Sequence, residues 1–411
     1  MKICVFTLGC KVNYSESASI IRGLKERGYE VTDELEFADL YIVNTCAVTG
    51  EAEKKSRQVS ARIASINPNA RVIFTGCATE HSPESFSSKS NASLVTGTFK
   101  KAEILDALFS EGVKIAPQTK TYEELPLPLS MRTRSYVKIQ DGCNNFCSYC
   151  IIPYLRGRSR SRSIESILNE LSANPSKECV LNGINISDYH IDGKNLTDLI
   201  KSLQSVDCRI RLGSLEVGVI DDLLLVELKK LKDFAPQFHL SLQSGSDSVL
   251  KKMNRHYTSK EYLDKVNLIR KYFPDAGITT DVIVGFPTET EDEFNDSLQF
   301  VKTVGFSDIH PFPYSKRTGT VASKLTEVPS DVKKERLKKL LTVKEDCCNN
   351  FHNKFIGKTL SVLFETVDDG VAVGYSANYI RVYADANFVT LGEIREVTVK
   401  SVYKDGVYGE I

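Results

Sequence analysis

Three cysteines lie close together in the stretch Cys143-Asn-Asn-Phe-Cys147-Ser-Tyr-Cys150. A zinc or iron–sulfur site closed by four cysteines would need a fourth local ligand, and the next cysteine is Cys179. Three thiolates can hold three irons of a [4Fe–4S] cube and leave the last iron open for another ligand. An aromatic residue precedes each of the last two cysteines, so the loop is partly apolar and suits a shielded cluster. The alternative is three unrelated buried thiols, although buried cysteines rarely crowd one loop.

A second set of three cysteines is spread over the first part of the chain. Cys10, Cys46 and Cys77 each follow a short apolar run of strand type. The carboxyl ends of parallel strands share one edge of a sheet, where ligands bind, so these cysteines are predicted to converge. Gly9 and Gly76 precede two of them, where the backbone must turn tightly or approach a cofactor closely. The pattern predicts a second metal cluster; the alternative is tight turns whose small residues happen to be cysteine.

The elements that must position this second set alternate between strand and helix. This alternation predicts an α/β domain over residues 1–125 with a doubly wound parallel sheet. The predicted strands are Lys2–Thr7, Asp39–Thr45, Arg71–Thr75 and Leu94–Gly97, and the predicted helices begin near Ser15 or span Glu51–Ser65 and Lys100–Phe109.

The Cys143 loop belongs to a second α/β region, predicted over residues 130–345. The Pro-containing stretch Glu124–Leu129 is predicted to be a linker. Strand-like segments with helices between them predict a partial TIM-like (β/α)6 barrel, whose active site lies at the carboxyl ends of the strands. The segments are Ser135–Gln140, Glu178–Leu181, Arg209–Leu212, Phe238–Leu242, Ile278–Val284 and Asp308–Tyr314.

Polar and glycine-rich residues cluster at the predicted carboxyl ends of these strands. Gly183, Ser214, Glu216, Gln243 and Asp281 all stand in such stretches. Ordinary loop composition explains them equally well, because Gly, Ser and Asn are common in loops. The cluster loop follows the first strand and so lies at the same barrel mouth, which favours a ligand site.

Four arginines follow the cluster loop in the stretch Arg156-Gly-Arg158-Ser-Arg160-Ser-Arg162. They could contact phosphates, or they could form a solvated loop and helix start.

The last region, predicted over residues 350–411, changes to short strand-like runs separated by turn residues. Asp368-Asp-Gly370 and Asp405-Gly406 are hairpin-turn signals. Five short strands predict a small antiparallel β-barrel of the oligonucleotide-binding type, with tyrosines as stacking surfaces. The net charge of this region opposes generic polyanion binding, because it contains five basic and eight acidic residues from Phe355 onward. The named runs are Lys358–Glu365, Val371–Tyr375, Tyr379–Tyr383 and Arg395–Tyr403.

Bulk composition narrows the class of protein. The chain has 411 residues, 41% of them hydrophobic and 26% charged, as in a globular protein of two or three domains. Its 53 basic and 53 acidic residues balance, so a nucleic-acid partner must be recognised locally. Eleven irregularly spaced cysteines do not form a disulfide framework, and no stretch is long enough for a signal peptide or membrane span. A reducing cytoplasm is expected.

In combination, these stretches resemble the radical S-adenosylmethionine (SAM) methylthiotransferase family over nearly the whole chain. That family has an N-terminal cluster domain, a radical SAM barrel and a C-terminal TRAM domain. The resemblance rests on Thr7-Leu-Gly-Cys10-Lys-Val-Asn13, Asn44-Thr-Cys46, Thr75-Gly-Cys77, Cys143-xxx-Cys147-xx-Cys150-Ile-Ile-Pro153 and Leu240-Ser-Leu-Gln-Ser-Gly-Ser246.

The resemblance implies that the three cysteines of the Cys143 loop hold a [4Fe–4S] cluster whose open iron chelates SAM. Reductive cleavage of SAM then yields the radical that removes an aromatic C2 hydrogen, which explains the absence of a catalytic dyad. Cys10, Cys46 and Cys77 would hold an auxiliary [4Fe–4S] cluster that delivers a methylated sulfur. SAM contacts are expected from Tyr149, Gly183, Ser214, Glu216, Gln243 and Asp281, and RNA contacts from Arg156, Arg158, Arg160, Tyr379 and Arg381.

Two stretches, Thr7–Asn13 and Gly374–Arg381, are most similar to the MtaB-type branch, which acts on N6-threonylcarbamoyladenosine beside the tRNA anticodon. The alternatives are a MiaB-type enzyme for isopentenyladenosine and a RimO-type enzyme for a ribosomal-protein aspartate. A non-enzymatic alternative is an iron–sulfur RNA-binding or electron-transfer protein. The expected partners are the tRNA anticodon stem-loop and an electron donor such as flavodoxin or ferredoxin, with no membrane and a monomeric state.

Overall fold

A computed structural model of the protein describes residues 1–128 and 133–411. Its first part is a parallel sheet with the strand order β2-β1-β3-β4-β5-β6. The predicted doubly wound sheet is therefore confirmed, with two short strands, β2 and β6, that the sequence pattern did not reveal. The strands are β1 Lys2–Thr7, β2 Glu30–Thr32, β3 Leu40–Thr45, β4 Arg71–Gly76, β5 Ala92–Thr96 and β6 Gly112–Lys114.

Helices cover both faces of this sheet. Alternate residues of β3 point to opposite faces, so Val43 packs with Val59 on one side and Ile42 with Ile20 on the other. The helix predicted over Lys100–Phe109 is wrong, because this segment forms only a short 3-10 helix, Lys101–Asp106. The α-helices are α1 Lys11–Glu26, α2 Gly50–Ile66, α3 Cys77–His81 and α4 Glu84–Ser87.

The central part is the predicted partial barrel of parallel strands. Strands β7, β10 and β13 pair in one sheet, and β14 to β17 pair in the next, with Gly213 between β13 and β14. The main strands are β7 Arg134–Lys138, β10 Glu178–Asn182, β13 Arg209–Leu212, β14 Ser214–Leu215, β15 Gln237–Leu240, β16 Gly277–Val284 and β17 Asp308–Pro313. Short antiparallel strands at its periphery are β8 Gln140–Asp141, β9 Arg160–Ser161, β11 His190–Ile191 and β12 Lys194–Asn195.

Most helices of the central part pack on the outer face of these strands around one large apolar core, whereas Leu155 of the short helix Ile152–Arg156 packs in the core of the N-terminal sheet. Thr258 and Thr290 cap two of them in capping boxes with Glu261 and Glu293. The helices are α5 Ile152–Arg156, α6 Ile164–Ala173, α7 Leu196–Ser202, α8 Asp222–Lys229, α9 Asp247–Lys252, α10 Ser259–Tyr272, α11 Glu291–Val304 and α12 Ser330–Asn353. Further 3-10 helices are Ile186–Asp188, Val217–Val219, Ala322–Lys324 and Ala386–Phe388.

The last part of the chain is a closed five-stranded β-barrel, as predicted. Four of its strand pairs are antiparallel as expected, but Arg381–Asp385 pairs with Gly406–Glu410 in parallel. Asp368-Asp369-Gly370 and Lys404-Asp405 form its hairpin turns, with positive φ at Asp369 and Lys404. The strands are β18 Thr359–Asp368, β19 Val371–Ser376, β20 Arg381–Asp385, β21 Ile394–Tyr403 and β22 Gly406–Glu410.

The predicted domain boundaries are not marked by simple breaks. Leu129, which ends the predicted linker, and residue 130, which begins the predicted second domain, lie outside the described residues. Helix α12 runs without a break through the boundary predicted between residues 345 and 350. Within the described residues, no helix is long and apolar enough to cross a membrane.

Candidate active site

Cys10, Cys46 and Cys77 lie at one edge of the N-terminal sheet. Cys10 is the residue before α1, Cys46 directly follows β3 and Cys77 begins α3 after β4. Because β1, β3 and β4 are neighbours, their carboxyl ends bring the cysteines together. A Cβ placed on Gly9 would stand 2.8 Å from Cys46 Cβ and 2.9 Å from its Sγ. Glycine thus lets the Cys10 turn, at φ +103°, close onto Cys46.

Asn13 of α1 ties two of these turns together. Its Nδ2 donates to the backbone oxygen of Leu8 at 2.8 Å and to that of Thr45 at 3.0 Å. The Asn13 side chain therefore holds the backbone just before Cys10 and just before Cys46. This explains why an asparagine stands three residues after Cys10.

Thr45 links the Cys46 turn to the Cys77 helix. Its hydroxyl donates to the Thr75 oxygen at 2.7 Å and accepts from the backbone N–H groups of Ala78 and Thr79 at 3.2 and 3.3 Å. The start of α3 is thus capped by a side chain from the neighbouring strand end. The Asn44-Thr-Cys46 stretch is explained by this contact.

The Cys143 loop lies at the carboxyl end of the central barrel, as predicted from the strand it follows. Cys143 N donates to the Gly157 oxygen at 3.1 Å, and Ser148 N donates to the Met253 oxygen at 3.0 Å. Cys150 N donates to the Cys147 oxygen at 3.0 Å. The loop is therefore anchored to other segments at Cys143 and Ser148, and its last turn is closed by its own backbone.

Arg255 is a residue of this site that the sequence reasoning missed. Its Nη1 donates to Cys147 Sγ at 3.3 Å and its Nη2 pairs with Glu216 Oε2. Glu216 Oε1 also accepts from Asn145 Nδ2 of the loop at 3.2 Å. Arg255 and Glu216 thus stand directly beside the predicted cluster ligands. No local pattern marks Arg255, because it follows α9 at a distance in sequence from every cysteine.

The other predicted SAM contacts surround the same barrel mouth to different degrees. Tyr149 is half-buried in the loop and packs against Met253 and other apolar side chains, and Gly183 abuts Gln140, with Oε1 2.9 Å from an added Cβ. Gln243, at φ +68°, donates its N–H to the Asp281 oxygen at 2.8 Å. The Asp281 carboxylate lies 3.4 Å from His239 Nε2, deeper in the barrel, and Ser214 is exposed.

A buried charge network joins the two cysteine sites. Glu16 of α1 accepts from Arg156 Nη1 at 2.8 Å and from Lys138 Nζ at 2.7 Å, and it also pairs with Lys101. Burial alone would raise the pKa of Glu16, but Arg156, Lys101 and Lys138 together lower it well below its ordinary value. Asp141 shares Arg156 and Lys138. The network connects α1, which begins beside Cys10, with α5, which follows the Cys143 loop.

Four of these thiols are in environments that disfavour the free thiolate. Burial raises the pKa of Cys46 to about 11, that of Cys143 to about 11 and that of Cys150 to about 12. Burial also raises the pKa of Cys77, against the opposing effect of Arg156. The thiolate is the form that binds metal, so bound iron would have to displace these protons.

Each cysteine trio supplies three thiolates, a donor set that an iron–sulfur cluster can use. Among residues 1–128 and 133–411, no group of three or more His, Cys, Asp or Glu side chains is arranged around one metal ion. Each thiolate of a [4Fe–4S] cube binds a different iron, so the sulfurs need not meet at one point. N–H donors at the sulfurs, such as Asn145 N at 3.4 Å from Cys143 Sγ, suit ligating thiolates.

The arginines after the cluster loop differ from one another in exposure. The Arg156 side chain is only 1% exposed and is occupied by the charge network, which conflicts with the predicted phosphate contact. Arg160 is also buried, and its Nη1 donates to the backbone oxygens of Arg156 and Arg158 at 2.7 and 3.0 Å. Arg158 is exposed, with its guanidinium 4.4 Å from the Phe146 ring centroid. Of the three, Arg158 alone presents its charge to solvent.

The two predicted RNA contacts of the last barrel lie at the opposite end of the central barrel. Tyr379 stacks on Tyr375 and lies against the guanidinium of Arg211 at 4.8 Å, which conflicts with a free stacking surface. The same turn contacts the amino-terminal ends of the strands, since Arg211 Nη1 donates to the Ala377 oxygen at 3.1 Å. Arg381 is partly exposed and pairs with Asp405 at 2.7 Å.

Comparison with known proteins identifies the family. The radical SAM superfamily model matches residues 137–301, and the model of the uncharacterized protein family UPF0004 matches residues 2–97. The chain is 36% identical to threonylcarbamoyladenosine tRNA methylthiotransferase MtaB of Bacillus subtilis, over 97% of this chain and 93% of that protein. It is 39% identical to the protein of the same name from Thermotoga maritima, over 98% and 95%. The chain belongs to the radical SAM tRNA methylthiotransferase family.

A second kind of relative within this tRNA methylthiotransferase family is nearly as similar. The chain is 37% identical to tRNA-2-methylthio-N(6)-dimethylallyladenosine synthase of Clostridium novyi, over 88% of this chain and 85% of that protein. Among solved structures, the radical SAM methyltransferase TsrM from Kitasatospora setae aligns with a TM-score of 0.55 at 14% identity, over 78% and 74% of the two chains. The cobalamin-dependent radical SAM enzyme OxsB aligns with a TM-score of 0.54 at 14% identity, over 84% and 56%. These two likenesses concern the fold alone.

Proposed function

We propose that the protein methylthiolates C2 of N6-threonylcarbamoyladenosine next to the tRNA anticodon, using SAM and two [4Fe–4S] clusters. The observation that carries the proposal is that each cysteine trio lies at the carboxyl ends of parallel strands, and that Arg156, which follows the Cys143 loop, donates to Cys77 Sγ at 3.3 Å. One trio alone would suit a radical SAM enzyme, whereas sulfur transfer requires a second site that holds the sulfur. The buried Glu16–Arg156 contact between the two edges supports a single composite site.

Each cysteine trio would hold one of the two clusters. Cys143, Cys147 and Cys150 would hold the SAM-binding cluster, and Cys10, Cys46 and Cys77 the auxiliary cluster. When bound, these groups supply hydrogen-atom abstraction and the methylated sulfur, chemistry that amino-acid side chains do not provide.

The side chains of the chain itself bind and orient these groups. Glu216 would accept hydrogen bonds from the ribose hydroxyls of SAM, because its carboxylate stands beside the cluster loop and is held there by Arg255. Tyr149, Gly183, Ser214, Gln243 and Asp281 would line the remaining SAM contacts. The target adenine must leave the anticodon stack to reach the space between the two edges.

The substrate assignment is supported by the relatives rather than by a side chain of the site. Four relatives at 36–39% identity are named threonylcarbamoyladenosine tRNA methylthiotransferase. Proteins named dimethylallyladenosine synthases follow at 32–37%. A dimethylallyladenosine substrate is therefore the second candidate. A tRNA substrate would place the reaction in the cytoplasm.

Nucleoside mass spectrometry of tRNA from cells with and without the protein tests the proposal. We expect deletion to remove the methylthio group from threonylcarbamoyladenosine and to leave methylthiolated dimethylallyladenosine unchanged. Loss of the latter mark instead would establish the second candidate. A ribosomal-protein substrate would leave both nucleosides unchanged.

Purified protein tests the number of clusters and the partners. Anaerobic reconstitution should give about eight irons per chain, four for each cluster, and a value near four would contradict the two-cluster proposal. We further propose that a flavodoxin or ferredoxin supplies the electron and that the protein acts as a monomer on the anticodon stem-loop. Product formation with either reduced donor, and a sedimentation measurement, check these two points.

A further inference from the structure

In each cysteine trio, one sulfur accepts a hydrogen bond from a buried arginine. Arg255 Nη1 lies 3.3 Å from Cys147 Sγ, and Arg156 Nε lies 3.3 Å from Cys77 Sγ. The arginine side chains are 4% and 1% exposed. Two unrelated parts of the chain therefore provide the same contact at the two predicted clusters.

Arg255 is held by contacts that leave its guanidinium little freedom. Its Nη2 donates to the Ser241 oxygen at 3.1 Å and pairs with Glu216, while its Nε donates to Tyr257 Oη at 3.1 Å. The guanidinium also lies 5.0 Å from the Tyr257 ring centroid. With every other side of the group fixed, the Nη1 donor is aimed at Cys147.

Arg156 is held in a comparable way, by side chains of α1 and β8. Its Nη1 donates to Glu16 at 2.8 Å and to Asp141 at 3.1 Å, and its Nη2 donates to Asn13 Oδ1 at 2.8 Å. These partners occupy both terminal nitrogens, so Nε is the donor that remains for Cys77. A planar guanidinium can make all these contacts at once, whereas an ammonium group cannot.

A positive charge and an N–H donor at a ligating sulfur act on the electron affinity of a cluster. Reduction adds negative charge to the cluster, and both groups stabilise that charge in a site of low polarity. Hydrogen bonds to the sulfurs and local charge are among the factors that set the reduction potential of iron–sulfur clusters. Loss of the arginine should therefore make the cluster harder to reduce.

We propose that Arg255 and Arg156 are positioning residues, each of which holds one cysteine thiolate and raises the reduction potential of the cluster bound there. This inference rests on the proposed two-cluster function. Each arginine affects one cluster only. Arg255 acts on the cluster of the Cys143 loop, and Arg156 acts on the cluster of the N-terminal sheet.

The test uses full-length protein in which one trio at a time is replaced by alanine, so that each preparation holds one cluster. Redox titration with dithionite, followed by electron paramagnetic resonance, gives the midpoint potential of that cluster. In the background that keeps Cys143, Cys147 and Cys150, Arg255→Gln should shift the reduction equilibrium at least tenfold toward the oxidised form, or 59 mV for one electron. Arg156→Gln should leave this potential unchanged. In the background that keeps Cys10, Cys46 and Cys77, Arg156→Gln should lower the midpoint potential by the same amount. Arg255→Gln should leave it unchanged.

Lysine variants keep the experiment decisive if a glutamine variant does not fold. Arg255→Lys and Arg156→Lys retain the charge that faces Glu216 or Glu16 but lose the fixed donor, so a smaller shift in the same direction is expected. Unchanged potentials in the lysine and glutamine variants, or equal shifts of both clusters, would overturn the inference while the proposed function stood. Failure of either single-trio background with native arginines to bind iron would instead overturn the two-cluster function and this inference with it.

Discussion

The two cysteine trios reach their positions by different routes. Cys143, Cys147 and Cys150 lie in one loop, whose backbone hydrogen bonds to Gly157 and Met253 hold it at the end of the barrel. Cys10, Cys46 and Cys77 depend on the register of three strands. The loop trio therefore depends on one loop and its anchors, whereas the sheet trio depends on the pairing of β1, β3 and β4.

This difference predicts which site is more vulnerable to changes elsewhere in the chain. The sheet trio is braced by Asn13 and Thr45, which bond across strand ends, and by the charge network around Glu16. Its geometry therefore depends on residues distant from any cysteine.

The largest effect is expected from single cysteine replacements. Cys147→Ala should abolish both 5′-deoxyadenosine formation and methylthiolated product, because the radical source depends on the loop trio. Cys46→Ala should abolish product and leave part of the SAM cleavage. Liquid chromatography with mass spectrometry measures both species in one reaction.

Cys208→Ala is the matched control for these replacements, because Cys208 is half-buried and belongs to neither trio. It should retain iron and both activities. Methylthiolated RNA from the Cys46 variant would contradict the assignment of the sheet trio.

The difference between the trios also decides what the sequence could reveal. The close spacing of Cys143, Cys147 and Cys150 is visible in the chain, and the strand patterns were strong enough to place Cys10 and the other sheet cysteines at strand ends. Arg255 could not be found, because its contact with Cys147 joins residues far apart in the chain. Burial of Arg156 was equally hidden, since a run of arginines gives no sign of which one faces Glu16 and Cys77.

The next largest effect concerns the charge network that braces the sheet trio. Glu16→Gln leaves Arg156, Lys101 and Lys138 without their shared carboxylate, and breaking a buried pair costs about 3–5 kcal/mol. Urea unfolding of the iron-free protein at pH 7 measures this loss. Glu26→Gln on the same helix, which removes an exposed pair with Arg22, should cost about 0.5 kcal/mol or less.

The pH dependence of this loss follows from the lowered pKa of Glu16. An ionised Glu16 contributes its full stabilisation above the ordinary carboxyl pKa of 4.5, and the contribution is lost as pH falls toward the lowered pKa of the folded state. The gap in unfolding free energy between wild type and Glu16→Gln should therefore be widest at neutral pH and shrink below pH 4.5. A gap that is constant with pH would show that the ionised carboxylate is not the stabilising group.

A smaller effect is expected from the turn that carries Cys77. Gly76 has φ +106°, and an added Cβ would stand 2.6 Å from the Thr45 oxygen. Gly76→Ala should therefore cost about 1–3 kcal/mol for the backbone conformation, with a further cost for the contact. Because the turn holds Cys77, iron content should fall at the sheet trio while SAM cleavage persists.

Gly28→Ala separates backbone strain from the contact. Gly28 has φ +81° and nothing within 4 Å of an added Cβ, so only the conformational cost applies. Its iron content should equal that of the wild type. Equal iron content in the Gly76 and Gly28 variants would show that the close approach at Gly76 does not support the sheet trio.

The smallest effect is expected at Arg158, which lies over the Phe146 ring of the Cys143 loop and is exposed to solvent. If Arg158 contacts one phosphate, Arg158→Ala should weaken binding of the anticodon stem-loop and lower the salt dependence of the binding constant by about one ion. Fluorescence anisotropy at several salt concentrations measures both quantities. Arg22→Ala, at a partly exposed arginine on α1, should change neither. An unchanged salt dependence in the Arg158 variant would mean that the loop edge carries the cluster but does not hold the RNA backbone through this residue.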